Sequence, residues 1–262
     1  MPQANVNGTT LVYNERGQGP PLVLLHGFPL DGRIFAHQLE ALADRWRVIV
    51  PDLRGFGRSR SNEPFTVASL AEDVHALLEQ LGALPCALGG LSMGGYVAFA
   101  YAKKYPTDLS ALLLIDTRCE GDTAEGKANR DKMIESVRQG GAKAVAEQMF
   151  PKMLAPGAAE RDAAVAGRAR EIMEQCPPLT IEHALAAMRD RDDYCSLLPS
   201  IPVPTLIIVG EHDAITPPAG ARTMHEHIPR SQLAVIPDAG HLSPLEKRRE
   251  VNEALRGFLA FL

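Results

Sequence analysis

Short apolar runs alternate with amphipathic stretches along most of the chain. Six runs have the length and continuity of strands that are covered on both faces; they span residues 22–25, 48–50, 86–88, 112–115, 206–209 and 233–236. Apolar positions at spacings of three and four predict helices over residues 67–81, 96–105, 218–227 and 245–262. Strands that alternate with helices predict an α/β fold, with a mostly parallel sheet flanked by helices and right-handed crossovers.

Two segments depart from this alternation. Asn7-Gly8 predicts a hairpin between residues 3–6 and 10–14, which adds an antiparallel edge to the sheet. Residues 118–198 contain no strand pattern, and four helical stretches are predicted there, over residues 128–139, 142–149, 158–174 and 181–192. The strand pattern resumes at Pro204. We therefore expect residues 1–117 and 200–262 to form one core, and residues 118–199 to form a helical cap inserted into it.

Composition narrows the classes of partner. The 262 residues are 45% hydrophobic, with a net charge of -5. No basic excess is present to neutralise a phosphate backbone, so we expect no nucleic-acid partner. The stretch between Glu79 and Lys103 carries no charge, but Pro85 and a glycine cluster interrupt it. A strand, a turn and a buried helix fit this stretch better than a membrane span, so we expect no membrane partner.

The cysteines are few and scattered, at positions 86, 119, 176 and 195. No C-x-x-C pair occurs, which argues against zinc or thioredoxin chemistry, and four cysteines are too few for a disulfide scaffold of this size. The first residues show no cationic segment followed by an apolar one, as a signal peptide would. We therefore expect reduced cysteines and a cytoplasmic location.

The strongest chemical signal is Gly90-Leu91-Ser92-Met93-Gly94. A G-x-S-x-G motif between a strand and a helix forces a sharp, strained turn that presents the serine above the sheet. The glycines on either side allow neighbouring backbone to approach closely. The alternative is a phosphate-binding loop, but the lysine and the glycine spacing of a P-loop are missing. The pattern predicts Ser92 as a nucleophile.

A serine nucleophile needs a base, and eight histidines compete for this role. His241 follows the last predicted strand, which places it at the same sheet edge as Ser92. His26, which follows the first buried strand, is the main rival. His225 and His227 are two apart on a predicted helix and make a poor metal pair. We favour His241 as the base and expect no metal.

The base needs a carboxylate to orient it. Asp213 follows the strand at residues 206–209, and Asp116 follows the strand at residues 112–115, so both should lie at the same edge. Asp213 gives the chain order serine, acid, histidine, which favours it over Asp116. The oxyanion of an acyl-transfer reaction needs donors, for which the N–H groups of Met93 and Phe28 are candidates.

The sequence gives weaker signals for residues that contact substrate than for the catalytic residues. His26 lies two residues before Phe28 and Pro29 directly after it, Leu242 follows the proposed base, and Met149 and Met153 lie in the cap. Methionines adapt to varied ligand shapes, although most of those in the cap are expected simply to bury it on the core. Arg118 and Arg138 are candidates for binding a substrate carboxylate, but arginines are more often exposed and solvated.

Together these motifs resemble the α/β-hydrolase family. The matching segments include the loop at residues 26–29, Asp52-Leu53-Arg54-Gly55-Phe56-Gly57-Arg58-Ser59, the Ser92 motif, Gly210-Glu211-His212-Asp213 and Gly240-His241, in the family's order. The resemblance implies the α/β-hydrolase fold with a helical cap, Ser92 as nucleophile, Asp213 as acid and His241 as base. It also implies that Asp52 and the turn after it are structural.

Within that family the chain is most similar to 3-oxoadipate enol-lactonases and small carboxylesterases. Those lactonases tend to carry a tryptophan in the cap, whereas the only tryptophan here, Trp46, lies outside it. We therefore expect a serine hydrolase that cleaves short- to medium-chain carboxylic esters, with no cofactor. The alternatives are an enol-lactonase-type lactonase, a C–C bond hydrolase, a cofactor-free perhydrolase or acyltransferase, and a slow-turnover ligand receptor. The partner is then a small-molecule ester or lactone; the oligomeric state is open.

Overall fold

The computed structural model describes residues 2–262 and contains one eight-stranded sheet among them. The strands are β1 Gln3–Val6, β2 Thr9–Arg16, β3 Pro21–Leu25, β4 Arg47–Pro51, β5 Cys86–Leu91, β6 Leu109–Ile115, β7 Thr205–Gly210 and β8 Ser231–Ile236. Their order across the sheet is β1-β2-β4-β3-β5-β6-β7-β8. The pairs β1–β2 and β2–β4 are antiparallel and the remaining pairs are parallel. The predicted fold class, the hairpin and all six strands are confirmed, but β8 lies at the edge of the sheet and is mostly half-exposed, so it is not covered on both faces as expected.

Helices cover both faces of this sheet. They are α1 Ala36–Leu42, α2 Val67–Gln80, α3 Met93–Lys104, α4 Ala124–Met153, α5 Ala158–Arg161, α6 Ala163–Glu174, α7 Pro178–Arg189, α8 Pro218–His227, α9 Ser243–Glu246 and α10 Arg248–Leu259. Alternate side chains of β3 show the layering: Val23 and Leu25 pack into one hydrophobic cluster, and Leu22 and Leu24 into the other. Both faces of the central strands are therefore buried, which explains their unbroken apolar runs.

Several helix boundaries differ from the prediction. The helix predicted over residues 245–262 is divided into α9 and α10, because Lys247 has a non-helical backbone. The two stretches predicted over residues 128–149 form one element, α4, broken at Gly141, where φ is 66°. Asp162 divides the stretch at residues 158–174, and its side chain accepts a hydrogen bond from the Val165 N–H at the start of α6. Helix α1 was not predicted.

The uncharged stretch forms β5, the turn at Ser92 and the buried helix α3, as predicted. Across the described residues, no helix combines the length and the apolar character that a membrane crossing requires. Between β6 and β7 the described chain is helical and irregular, without a strand. We refer to residues 118–199 as the cap.

A disulfide joins the two ends of the cap. Cys119 follows β6 closely, and Cys195 lies shortly before β7, 76 residues later in the chain. The backbone N–H of Tyr194 also donates to the carbonyl of Cys119. This pairing corrects the expectation of reduced cysteines, since spacing along the chain could not show that the two residues meet. Disulfides persist in oxidising compartments. Reduced cysteines therefore no longer support the expectation of a cytoplasmic location.

The remaining cysteines, Cys86 and Cys176, are free and buried. Burial raises the pKa of the Cys86 thiol to about 12, and it raises the pKa of Cys176 as well. Both thiols stay protonated near neutral pH and have low reactivity. A reductant should therefore act on the folded protein only at the Cys119–Cys195 bond.

We expect that replacing both Cys119 and Cys195 by serine lowers the free energy of unfolding by about 2–4 kcal/mol, because the bond closes a long loop in the unfolded chain. Urea denaturation of the wild type and of the double variant, each with and without reductant, measures this loss. Reductant should destabilise the wild type and leave the double variant unchanged. Equal stability of oxidised wild type and double variant would contradict the prediction.

Candidate active site

Ser92 lies on the turn between β5 and α3 with a backbone φ of 52°, a left-handed conformation that is rare for a residue with a side chain. Crowding of the backbone holds this conformation. A Cβ at Gly90 would lie 2.1 Å from the carbonyl oxygen of Gly94, and a Cβ at Gly94 would lie 2.2 Å from that of Leu25. Larger residues at these two positions would break the turn. The predicted strand, turn and helix are therefore present with the expected strain.

The loop after β3 packs directly against this turn. A Cβ at Gly27 would lie 3.1 Å from the Cβ of Ser92, so the next residue, Phe28, follows immediately beside the serine. Met93 begins α3, and the first N–H groups of a helix have no partner within the helix. The two backbone groups predicted as oxyanion donors, those of Phe28 and Met93, thus belong to segments that meet at Ser92.

His26 has a structural position. It is fully buried, and its ring contacts backbone on both sides: Nδ1 lies 2.9 Å from the Gly27 carbonyl, and Nε2 accepts from the Leu53 N–H at 3.0 Å. Burial lowers the pKa of this imidazole, which fits a neutral ring with Nδ1 protonated. Both ring nitrogens have backbone partners, so His26 positions the loop after β3 and has no ring nitrogen left for the rival role of base. The expected contact of His26 with substrate stays a prediction.

Asp213 and His241 are brought together from the loops that follow β7 and β8. Their contact, from His241 Nδ1 to Asp213 Oδ2, is 2.8 Å, and both side chains are buried. Asp213 also accepts hydrogen bonds from the N–H groups of Ile215 and Thr216 at 2.8 Å each, and from the Thr216 hydroxyl at 2.6 Å. The carboxylate is therefore held in one orientation toward the imidazole.

These contacts keep Asp213 ionised. Burial by itself raises the pKa of a carboxyl group, but the neighbouring His241 and the hydrogen bonds from His241 and Thr216 outweigh it, so the pKa of Asp213 lies below its usual value. A carboxylate that stays charged can orient the imidazole and stabilise its protonated form.

Asp116, the alternative acid, forms no hydrogen bond or ion pair with His241 among the described residues. It is fully buried after β6, and its carboxylate accepts from the Gly210 N–H at 2.8 Å and from the Ser243 hydroxyl at 2.6 Å. Burial, together with the charge of Asp213, raises the pKa of Asp116 well above its usual value. Asp116 therefore connects the loops that carry Asp213 and His241, without being part of the Asp213–His241 pair.

The three predicted residues occupy one edge of the sheet. Ser92 follows β5, Asp213 follows β7 and His241 follows β8. Within residues 2–262, no hydrogen bond joins Ser92 Oγ to the ring of His241 in this structure. Such bonds are often long before substrate binds. The arrangement brings together an acid–imidazole pair and a strained serine, which are the elements of nucleophilic catalysis.

The other residues predicted to contact substrate lie in different surroundings. Met149 is half-buried and lines a cavity between the cap and the core. Met153 and Leu242 are fully buried, and the Leu242 N–H donates to the Met153 carbonyl, so they pack the end of α4 onto the His241 loop. Pro29 is buried next to Phe28. Met153 and Leu242 thus have a packing role in this structure, and their contact with substrate stays a prediction.

Sequence reasoning missed the residues that support the pair. The Thr216 hydroxyl contacts Asp213, Ser243 contacts Asp116, and Glu246 accepts from the N–H groups of Gly240 and Ala155. The signal for Thr216 was present, because a threonine three residues after an aspartate can donate back to it. No local pattern marks Ser243 or Glu246, since each is joined to its partner by the fold.

Comparison with known proteins gives consistent results. A family model described as alpha/beta hydrolase fold matches residues 20–248. The AB hydrolase superfamily protein YisY of Bacillus subtilis is 30% identical over 262 residues, covering 95% of each chain. A thermophilic esterase from Thermogutta terrifontis, solved with malate bound, is 42% identical with a TM-score of 0.94, over 98% of this chain and 96% of that one. An enol-lactonase from Burkholderia xenovorans is 28% identical with a TM-score of 0.92, over 99% and 100%.

The contacts of the two acids predict different effects on the reactivity of Ser92. We expect Asp213→Asn to slow labelling of Ser92 by a fluorophosphonate about 10³-fold or more, because the imidazole loses its orienting carboxylate. Asp116→Asn, the matched control, should stay within about tenfold of wild type, because Asp116 does not contact the imidazole. Intact-protein mass spectrometry over time measures both rates. If Asp116→Asn had the larger effect, the acid would be wrongly assigned.

Proposed function

This chain belongs to the alpha/beta hydrolase family, and we propose that within it the protein is a serine hydrolase of carboxylic esters. The observation that carries the proposal is the buried 2.8 Å contact between Asp213 and His241, at the sheet edge where the strained Ser92 lies. A serine, an ionised carboxylate and an imidazole, which follow one another along the chain in that order, are the parts of a Ser-His-Asp acyl-transfer site.

The proposed reaction has two steps. His241 Nε2 takes the proton of Ser92 Oγ, which attacks the ester carbonyl, while Nδ1–H donates to Asp213. The N–H groups of Phe28 and Met93 donate to the oxyanion. His241 then gives its proton to the leaving alcohol, which leaves an acyl group on Ser92. Water, activated by the same imidazole, attacks the acyl-enzyme and releases the carboxylic acid.

Similarity to solved enzymes supports ester cleavage as the first candidate. The esterase from Thermogutta terrifontis resembles this chain at 42% identity over nearly the full length, whereas the enol-lactonase is 28% identical. Lactone hydrolysis is the second candidate, favoured by the TM-score of 0.92 to that enol-lactonase. Both reactions use the same acyl-enzyme steps, since a lactone is a cyclic ester.

The test is hydrolysis of p-nitrophenyl esters from acetyl to dodecanoyl. We expect turnover that is highest for short and medium acyl chains, and a loss of at least about 10⁴-fold in kcat for Ser92→Ala. The melting temperature of Ser92→Ala should stay within about 2 °C of wild type, because the side chain is half-exposed and its Cβ is kept. Ser110→Ala, an exposed serine on β6, is the matched control and should be fully active.

Other outcomes separate the remaining candidates. Turnover that persists in Ser92→Ala would refute the proposal. Activity on lactones but not on open esters would favour the lactonase. Acyl transfer to hydrogen peroxide in preference to water would favour a perhydrolase, and a stable acyl adduct on Ser92 without turnover would favour a ligand receptor.

A further inference from the structure

The loop that carries the proposed base is packed against both the core and the cap. A Cβ at Gly210, which ends β7, would lie 2.1 Å from the carbonyl oxygen of Gly240. A Cβ at Gly240 would itself lie 2.4 Å from the backbone nitrogen of Ala155, which belongs to the cap. Main-chain atoms of the core and of the cap thus meet at the residue directly before His241.

The cap contributes the end of α4 to this contact. We call residues 153–155 the α4 terminus, and all three are buried. The Met153 carbonyl accepts from the Leu242 N–H at 3.1 Å. The residues on either side of His241, Gly240 and Leu242, therefore both contact the α4 terminus. Since the backbone of His241 is held between them, its position depends on where this part of the cap lies.

One side chain joins the two segments. Glu246 ends the short helix α9, and it is half-buried. Its Oε1 accepts from the Gly240 N–H at 2.9 Å, and its Oε2 accepts from the Ala155 N–H at 2.8 Å. Each carboxylate oxygen thus binds a different segment, one beside the base and one in the cap.

A carboxylate is suited to this place because it only accepts hydrogen bonds and does so through two oxygens. A carboxamide would accept from one of the two N–H groups and turn its own N–H groups toward the other. A side chain that ended at Cβ would leave both backbone donors without their partner, which is costly for buried groups. The pair of donors therefore selects glutamate over glutamine or alanine.

We propose that Glu246 is a positioning residue for His241, which it holds in place by joining Gly240 to the α4 terminus. The inference rests on the proposed function, since it concerns the base of the same site. Among the described residues Glu246 forms no hydrogen bond with Ser92 or with the ring of His241, so it acts through the backbone. In this scheme the seating of the cap on the core sets the distance between the imidazole and the Ser92 hydroxyl.

The first test is the rate at which a fluorophosphonate labels Ser92, followed by intact-protein mass spectrometry at a temperature where every variant is folded. We expect Glu246→Ala to lower this rate about tenfold or more, because a displaced base removes the serine proton less effectively. Glu246→Gln should lower it by a smaller factor, because the carboxamide oxygen still accepts from one N–H group. An unchanged rate in Glu246→Ala would overturn the inference.

Two controls separate positioning from charge and from stability. Glu250→Gln removes the same charge from an exposed position on α10 and should be labelled as fast as wild type. Leu78→Ala removes a fully buried side chain of α2, a helix that leads into the start of β5, at the sheet edge opposite Ser92. It should lower the melting temperature at least as much as Glu246→Ala does, with a labelling rate within about twofold of wild type. Equal slowing in Leu78→Ala and Glu246→Ala would assign the effect to stability and overturn the inference.

Two further readouts would not respond to a purely structural role. With p-nitrophenyl acetate, kcat of Glu246→Ala should fall by about the same factor as labelling, and KM should stay within about twofold, because Glu246 does not bind substrate in this scheme. The Nδ1 proton of His241, hydrogen-bonded to Asp213, should give a downfield proton NMR resonance in the wild type. In Glu246→Ala this resonance should move upfield or exchange faster with solvent. A loss confined to KM, with an unchanged resonance, overturns the inference.

The cap side of the contact is tested by Ala155→Pro, which removes the N–H that donates to Glu246. Leu154 has φ of -115° and ψ of 158°, an extended conformation that a following proline accepts. Labelling should again slow about tenfold or more. Combining Ala155→Pro with Glu246→Ala should add little, because both changes break the same contact. Multiplicative effects of the two changes would overturn the role of the α4 terminus.

The same experiments separate this inference from the proposed function. A wild type in which Ser92 is not labelled would refute the proposed function, and a His241 resonance that depends on Glu246 would still support the positioning role. A wild type that is labelled at Ser92, with every Glu246 variant at the wild-type rate, would keep the proposed function and refute the inference. Ser92→Ala, which keeps Glu246, identifies the labelled residue in both cases.

Discussion

The close approach of backbone segments around Ser92 is the constraint on which the rest of the site depends. The carbonyl of Leu25 and the turn between Gly90 and Gly94 come so near that no side chain fits between them. Strand β3, strand β5 and helix α3 are thereby held at one separation. The proposed nucleophile and both proposed oxyanion donors lie on or next to these segments, so their relative positions depend on main-chain packing. Substitutions in the surrounding side chains can reshape a substrate pocket without moving these atoms.

A second constraint is the placement of two buried carboxyl groups at one sheet edge. Two negative charges so close in a dry environment oppose each other. The structure separates their roles through their partners: Asp213 has the imidazole of His241 and the Thr216 hydroxyl, whereas Asp116 has the backbone of Gly210 and the side chain of Ser243. The pKa values move apart accordingly. One ionised carboxylate then faces the imidazole, and the other connects the loops on either side.

Much of this arrangement could be read from the sequence, for identifiable reasons. The apolar runs of the central strands are unambiguous because both faces are buried, and Asn7-Gly8 specifies its hairpin locally, with positive φ at both residues. The Ser92 motif has meaning because strand and helix signals flank it. What the sequence could not show depends on distant partners. Cys119 meets Cys195, and Glu246 meets Gly240 and Ala155, only once the chain is folded. In the sequence His26 looked available for chemistry, because nothing local indicates that the Leu53 N–H donates a hydrogen bond to its ring.

The covalent link between Cys119 and Cys195 also changes the topology of the molecule. Residues 120–194 form a loop closed at its base, where β6 and β7 lie side by side in the sheet. A protease that cuts once within this loop leaves both fragments covalently joined, and the sheet keeps both parts of its chain. The helices above the site can therefore vary in length and sequence during evolution while their two attachment points stay together. The sheet and the helical cap are in this sense separable.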